Sequence, residues 1–220
     1  MTGEPTNFLY PFIDAEERDA DALLADLAAS AQAKAAESLA LRRSTLEANA
    51  DVVDRAAAEL ARRFAAGGRL FTFGNGGSST DAASLAGLFS HPPAGAALPA
   101  WSLTADAAIL TALGNDVGFE LVFARQLIAR ARDGDIAIAI STSGNSPNLL
   151  AGLAEAHRHG VFTVGFAGYG GGALADSPNV DACLVVRSQS VHRIQESQAS
   201  LAYRLWQVVH DHLRSPAAHP

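Results

Sequence analysis

Asp135-Ile136-Ala137-Ile138-Ala139-Ile140 runs directly into Ser141-Thr142-Ser143-Gly144-Asn145-Ser146. The stretch up to Ile140 is a near-continuous apolar run, the pattern of a strand covered on both faces. The stretch after it carries four hydroxyls, on Ser141, Thr142, Ser143 and Ser146. A helix is predicted over residues 147–159, with Pro147 at its first position. Hydroxyls, free backbone donors and a helix N-terminus together make an arrangement suited to phosphate.

Outward from this stretch the same order repeats. Residues 69–73 (RLFTF) form a short β-rich run that leads into Gly74-Asn75-Gly76-Gly77-Ser78-Ser79 and then a helical stretch over 80–89. A Pro- and Gly-rich break follows at 92–99, with a short strand expected within 98–103. Residues 104–113 and 117–132 read as helical. Downstream, 161–166 and 181–186 read as strands, the first followed by a Gly-rich turn at 168–172, and 191–213 as a long closing helix. Strand, polar loop, helix, strand predicts an α/β domain with a parallel sheet sandwiched by helices. Residues 15–66 are rich in Ala, Leu, Glu and Arg, with no internal Pro or Gly. They read as one or two long helices ended by Gly67 and Gly68. Helices this long with Ala-rich apolar faces predict an oligomer. Residues 1–14 read as an irregular arm.

Composition narrows the function. The chain has 220 residues, 49% hydrophobic, and a formal net charge of -7. That is one sizeable core, and a charge that argues against direct nucleic-acid or anionic-membrane binding. No apolar stretch reaches membrane-spanning length. Cys183 is the only cysteine, so no intrachain disulfide forms, which fits a reducing compartment. Residues 1–14 contain no cationic segment followed by an apolar run. The expectation is a soluble, cytoplasmic protein.

In an open parallel sheet, ligands bind beyond the carboxyl ends of the strands. Both polar loops are predicted there. The glycines of Gly74-Asn75-Gly76-Gly77-Ser78 permit a tight turn and bring N–H groups close to an anion. Ser78 or Ser79 is expected to cap the helix that follows. GxxxxGK[ST] and GxGxxG are both absent, which weakens an NTPase or dinucleotide reading. Each loop alone is equally an ordinary strand-to-helix turn. The two together, each after its own apolar strand, favour a phosphosugar or similar anion.

The segments FGNGGS (73–78), GND (114–116), DGDIAIAISTSGNS (133–146), GG (171–172) and RIQES (193–197) occur in that order. By them the chain resembles the sugar isomerase (SIS) domain family from about residue 33 onward, in particular its sedoheptulose-7-phosphate (phosphoheptose) isomerase branch. The resemblance implies a flavodoxin-like, doubly wound parallel sheet of five strands flanked by helices. The SIS domain would occupy 33–220, with an arm and helix over 1–32. It also implies a homotetramer with shared active sites and a phosphorylated sugar as ligand. By the same resemblance Ser141, Thr142, Ser143 and Ser146 hold the phosphate. Asn75, Asn115 and Asp116 meet sugar hydroxyls or the carbonyl, and Gly76, Gly77 and Gln195 complete the substrate site. Without the family, Asn115-Asp116 is equally a turn with a helix cap.

One part of the family pattern is missing. The resemblance places a His and a Glu four residues apart on the helix after GNGGS, on one face, to ligate zinc and move a proton. Those positions are Ser84 and Leu88 here. A second family His, on the last helix, is Tyr203, and the Asp before the RIQE Arg is His192. Of the metal positions only Gln195 remains. A leucine neither transfers a proton nor binds a metal, so no zinc or other cofactor is expected. His91 and His192 are candidate substitutes, with Tyr203 as a weak acid and Glu196 beside Gln195. Two His and an amide without a carboxylate make a poor zinc catalytic set. His157, His159, His210 and His212 are expected at helix ends or on the solvated face. Two classes stay open: an isomerase, or diverged relative on another phosphosugar; and a non-catalytic phosphosugar-binding adaptor, resembling the SIS protein that associates with a replication initiator. The lost His/Glu pair favours the second, and the intact loops favour retained ligand binding.

Overall fold

The computed structural model describes residues 20–214. The chain divides into two compact units, Met1–Ala40 and Leu41–Pro220. The first unit is described only as helix: α1, Ala20–Ala48, starts in it. Its leucines Leu23, Leu24, Leu27 and Leu39 are exposed. The arm expected at 1–14 lies outside the described residues.

In the second unit, α2 (Ala50–Ala65) follows α1 after a break at Asn49. Val53, Ala56, Ala57, Leu60, Ala61 and Phe64 recur at three- and four-residue steps, and all are buried. The strands are β1 (Leu70–Gly74), β2 (Ala100–Ser102), β3 (Ile136–Ile140), β4 (Phe162–Gly168) and β5 (Ala182–Val186). They form one sheet in the order β2-β1-β3-β4-β5, with every pairing parallel. This is the flavodoxin-like order, with its switch point between β1 and β3. The flanking helices are α3 (Gly77–Ser90), α4 (Ala107–Asp116), α5 (Val122–Arg130), α6 (Pro147–Arg158), α7 (Gly172–Asp176) and α8 (Val191–Arg214).

The run at 136–140 sorts its residues by face. Ile136, Ile138 and Ile140 pack with Leu70, Val164 and Phe166 beneath α2, α3 and α8. Ala137 and Ala139 pack with Phe71 and Phe73 beneath α5 and α6. Alternate side chains point to opposite faces, so both layers grip the central strand. Among the described residues, no helix is long and apolar enough to cross a membrane.

Local chemistry changed several expected details. α4 continues through Gly114 and Asn115 to Asp116, with Asp106 accepting the Ala108 and Ile109 N–H groups as its cap. A short 3-10 turn, Phe119–Leu121, precedes α5. Ser78 and Ser79 do not cap α3. The cap position is Gly76, at φ 55°, and makes no side-chain bond; Ser79 instead donates its hydroxyl to the Gly76 carbonyl at 2.7 Å. His210 is not on a solvated face: it is 4% exposed. Its Nδ1 lies 3.0 Å from the Trp206 carbonyl and its Nε2 3.1 Å from the Ala96 carbonyl. The buried face of α8 continues through Leu205, Trp206, Val208 and Val209, and His210 falls in line with it. His157, His159 and His212 are exposed or half-exposed.

Candidate functional site

The two polar loops leave β1 and β3, the neighbouring strands at the switch point. The first turns through Gly74, where a Cβ would stand 2.5 Å from the Ser78 carbonyl oxygen and 2.9 Å from that of Ile140. Only a residue without a side chain lets the backbone cross the end of β3 so closely. Asn75 then reaches over to α6. Its amide and that of Asn148 exchange two hydrogen bonds, each 2.9 Å, which lock the glycine loop to the helix that follows the serine loop.

The serine loop is shaped from within. Ser141 Oγ accepts the Gly144 N–H at 3.0 Å, and Ser143 Oγ accepts the Asn145 N–H at 3.2 Å. Ser146 stands at the N-cap of α6 without a capping bond, and Pro147 opens the helix. The loop rests on the Gly171-Gly172 turn. Gly144 sits at φ 71°, where a Cβ would come within 2.0 Å of the Gly171 carbonyl oxygen. Asn145 joins the two segments, donating to the Ser143 carbonyl at 3.1 Å and accepting the Ala173 N–H at 2.8 Å.

α8 closes the site from the other side. A Cβ on Gly77 would stand 2.5 Å from Gln195 Nε2, so Gln195 lies against the glycine loop. Gln198, one turn later, donates Nε2 to the Ser141 carbonyl at 2.8 Å. Asn75, Gly76, Gly77 and Gln195 thus share one locality, tied through Asn148 and Gln198 to Ser141, Thr142, Ser143 and Ser146. Asn115 and Asp116 lie in the exposed last turn of α4. There Asn115 Nδ2 donates to Asp116 Oδ1 at 2.8 Å. Among the described hydrogen bonds, neither reaches a loop.

Ser84, Leu88 and Tyr203 meet in one cavity of about 280 Å³ between α3 and α8. From α3 come Asp81, Ser84, Leu85 and Leu88, the i, i+3, i+4 and i+7 stripe. From α8 come Gln198, Ala199, Ala202 and Tyr203, and Ile140 supplies the floor. Asp81 Oδ2 and Gln198 Oε1 are buried and, among the described residues, have no hydrogen-bond partner. Burial raises the Asp81 carboxyl above its ordinary range. His91 is the exposed C-cap of α3, its Nδ1 2.9 Å from Ser90 Oγ. His192 is exposed in the first turn of α8. Neither lines the cavity, and Glu196 pairs with Arg42 at 3.1 Å. Asp81 and Gln198 were not singled out from the sequence. The signal was there: Asp81 stands three residues before Ser84 and Gln198 three after Gln195.

The fold is an open, doubly wound parallel α/β domain with two donor-rich loops at its switch point, the place where such sheets take their ligands. The chain belongs to the SIS-domain family, whose model matches residues 35–168. It is 42% identical over 179 residues to a phosphoheptose isomerase of a Roseiflexus species, covering 78% of this chain and 87% of that one. Against the phosphoheptose isomerase of Aquifex aeolicus it is 40% identical over 179 residues, covering 80% and 92%. In three dimensions it resembles the phosphoheptose isomerase of Neisseria gonorrhoeae with a TM-score of 0.78 at 30% identity, covering 84% of this chain and 99% of that one. For that of Francisella tularensis the TM-score is 0.77 at 28% identity, covering 83% and 97%.

Proposed function

We propose that this protein binds a sugar phosphate of the sedoheptulose 7-phosphate type, with its phosphate on Ser141, Thr142, Ser143 and Ser146, and without the zinc-dependent acid/base set of its isomerase relatives. One observation carries the reading. Ser84, Leu88 and Tyr203, the positions of the expected His, Glu and His, line a single cavity beside the serine loop. That cavity is where a metal and a proton-transferring carboxylate would have to act, and the side chains there do not fit zinc. Zinc takes thiolate, imidazole or carboxylate ligands. A serine, a leucine and a tyrosine offer none, Gln195 is a neutral amide, and Asp81 is the one carboxylate among the described residues lining the cavity, too few to hold the ion. Among the described residues, no three His, Cys, Asp or Glu side chains cluster as a metal set. The proposal extends to a cytoplasmic homo-oligomer.

The residues divide the work by chemistry. The serine-loop hydroxyls and the α6 N-terminus supply donors to phosphate oxygens. Asn75 and Gln195 supply amides toward the sugar. The test is direct. Purified, metal-analysed protein is incubated with sedoheptulose 7-phosphate and the aldose product is followed. Loss of a positioned acid/base costs ~100- to 10,000-fold, so turnover should be at most residual, and zinc well below one per chain. Robust turnover abolished by a chelator would overturn the reading. Ser84→His with Leu88→Glu, with Tyr203→His added, is expected to regain zinc.

A second measurement addresses the phosphate site alone. Ser143→Asp sets a fixed negative charge among the donors and should abolish sugar-phosphate binding in calorimetry. Undiminished binding would remove the serine loop from the site. Leu88 also favours a second reading, a phosphosugar-responsive adaptor. In that case ligand raises the melting temperature while no product forms.

A further inference from the structure

Asp81 and Gln198, which line the cavity between α3 and α8, each bury a polar atom with no hydrogen-bond partner among the described residues, and this inference rests on the phosphosugar reading above. Asp81 Oδ2 and Gln198 Oε1 are both buried acceptors without a partner. Such atoms are costly to leave unpaired, and native chains seldom bury two in one place without a use. Among the described residues, nothing cationic lines the cavity. Its other polar side chains are the Ser84 and Tyr203 hydroxyls, and Leu85, Leu88, Ile140, Ala199 and Ala202 make up the rest. Asp81 therefore has no counter-ion there.

Gln198 is held in one orientation. Its Nε2 donates to the Ser141 carbonyl at 2.8 Å, which leaves Oε1 as the free end of the amide. The same bond joins the cavity to the first residue of the serine loop, and Ile140, the preceding residue, forms the cavity floor. A ligand anchored by phosphate on residues 141–146 therefore has the next part of its chain beside this cavity. An uncharged chain that offers hydroxyl donors matches two acceptors in an aliphatic surround.

We infer that Asp81 and Gln198 form a sugar-hydroxyl clamp, accepting hydrogen bonds from hydroxyls of the phosphosugar chain whose phosphate sits on Ser141–Ser146. Leu88 removes the carboxylate expected on this helix. Asp81, two turns earlier on the same stripe, puts a carboxylate back into the cavity for recognition.

The test compares two probes by calorimetry on the full chain: inorganic phosphate, which reads the serine loop alone, and sedoheptulose 7-phosphate, which reads both. Asp81→Leu removes the acceptor and Asp81→Asn keeps a weaker, neutral one. A hydrogen bond to a charged group is worth about tenfold or more in affinity. Asp81→Leu is expected to weaken sedoheptulose 7-phosphate by at least about tenfold while inorganic phosphate changes less than about twofold. Asp81→Asn should fall between, and it keeps the comparison intact if the leucine variant folds poorly. Equal affinity ratios for the two probes in wild type and both variants would overturn the clamp and leave the phosphate site standing. Wild-type protein that binds neither probe would instead overturn the phosphosugar reading, and the clamp with it.

Discussion

Asp81 carries a carboxylate that its surroundings desolvate and do not neutralise. Burial is the cause of its raised pKa, and no opposite charge offsets it. The native chain then keeps the Asp81 proton to higher pH than the unfolded chain, which releases it near the ordinary value of 3.8. Through the window between the two values the folded state binds more protons, so this group's contribution falls as pH rises. Above the window the charged carboxylate disfavours folding. Asp81→Asn should accordingly melt higher than wild type at about pH 7, and the gain should shrink toward zero at about pH 4. Thermal melts of both proteins across that range check it. A pH-independent difference would mean that the carboxyl is not held above its ordinary range.

At the level of elements, the sheet has an edge to protect. β5 is the last strand in the order, and an edge strand presents unpaired N–H and C=O groups. Asn49, in the break between α1 and α2, meets this need with one side chain. Its Oδ1 accepts the Val185 N–H at 2.9 Å, and its Nδ2 donates to the Val185 carbonyl at 3.0 Å and to the Thr45 carbonyl at 2.8 Å. The amide imitates one residue of a neighbouring strand and ties the helices to the sheet ahead of α8. Asn49 is 5% exposed, so water does not replace it freely. Asn49→Ala is expected to lose about 1–3 kcal/mol in urea unfolding. Asn49→Asp keeps the acceptor but turns a carboxylate toward two carbonyls, and should be destabilised at neutral pH and recover on acidification. A neutral Asn49→Ala would show that the edge contact contributes nothing.

On the scale of the whole molecule, apolar surface remains on the helices. Leu23, Leu24, Leu27 and Leu39 of α1 are 42%, 63%, 57% and 54% exposed. Tyr203 is 47% exposed and lines both the α3–α8 cavity and an outer groove with Leu46, Ala199 and Gln207. Association would bury such exposed apolar side chains. A second copy seated on α8 would cover the mouth of the cavity at Tyr203. The expected state is a homotetramer, or at least a homodimer. Light scattering at micromolar concentration checks it, and a monomer would reject it.

The sequence by itself determined what depends on near neighbours. The apolar runs at 69–73, 135–140, 161–166 and 181–186 mark strands because each can be buried on both faces. Gly67-Gly68 ends a helix, and Pro147 opens one, through their own backbone preferences. The glycine and serine loops were readable for the same reason, since turning tightly and offering donors are properties of a few consecutive residues. Only the tertiary structure decided which polar groups are paired, buried or orphaned. Asn49 with Val185, Asn75 with Asn148, and Gln198 with Ser141 are separated by 136, 73 and 57 residues. His210 is buried because α8 lies where Phe89 and the 92–99 segment cover it. Asp81 matters because its own stripe of α3 faces a stripe of α8 that lies more than a hundred residues later in the chain. Burial and pairing are set by what arrives from far away in sequence, and no local pattern encodes that arrival.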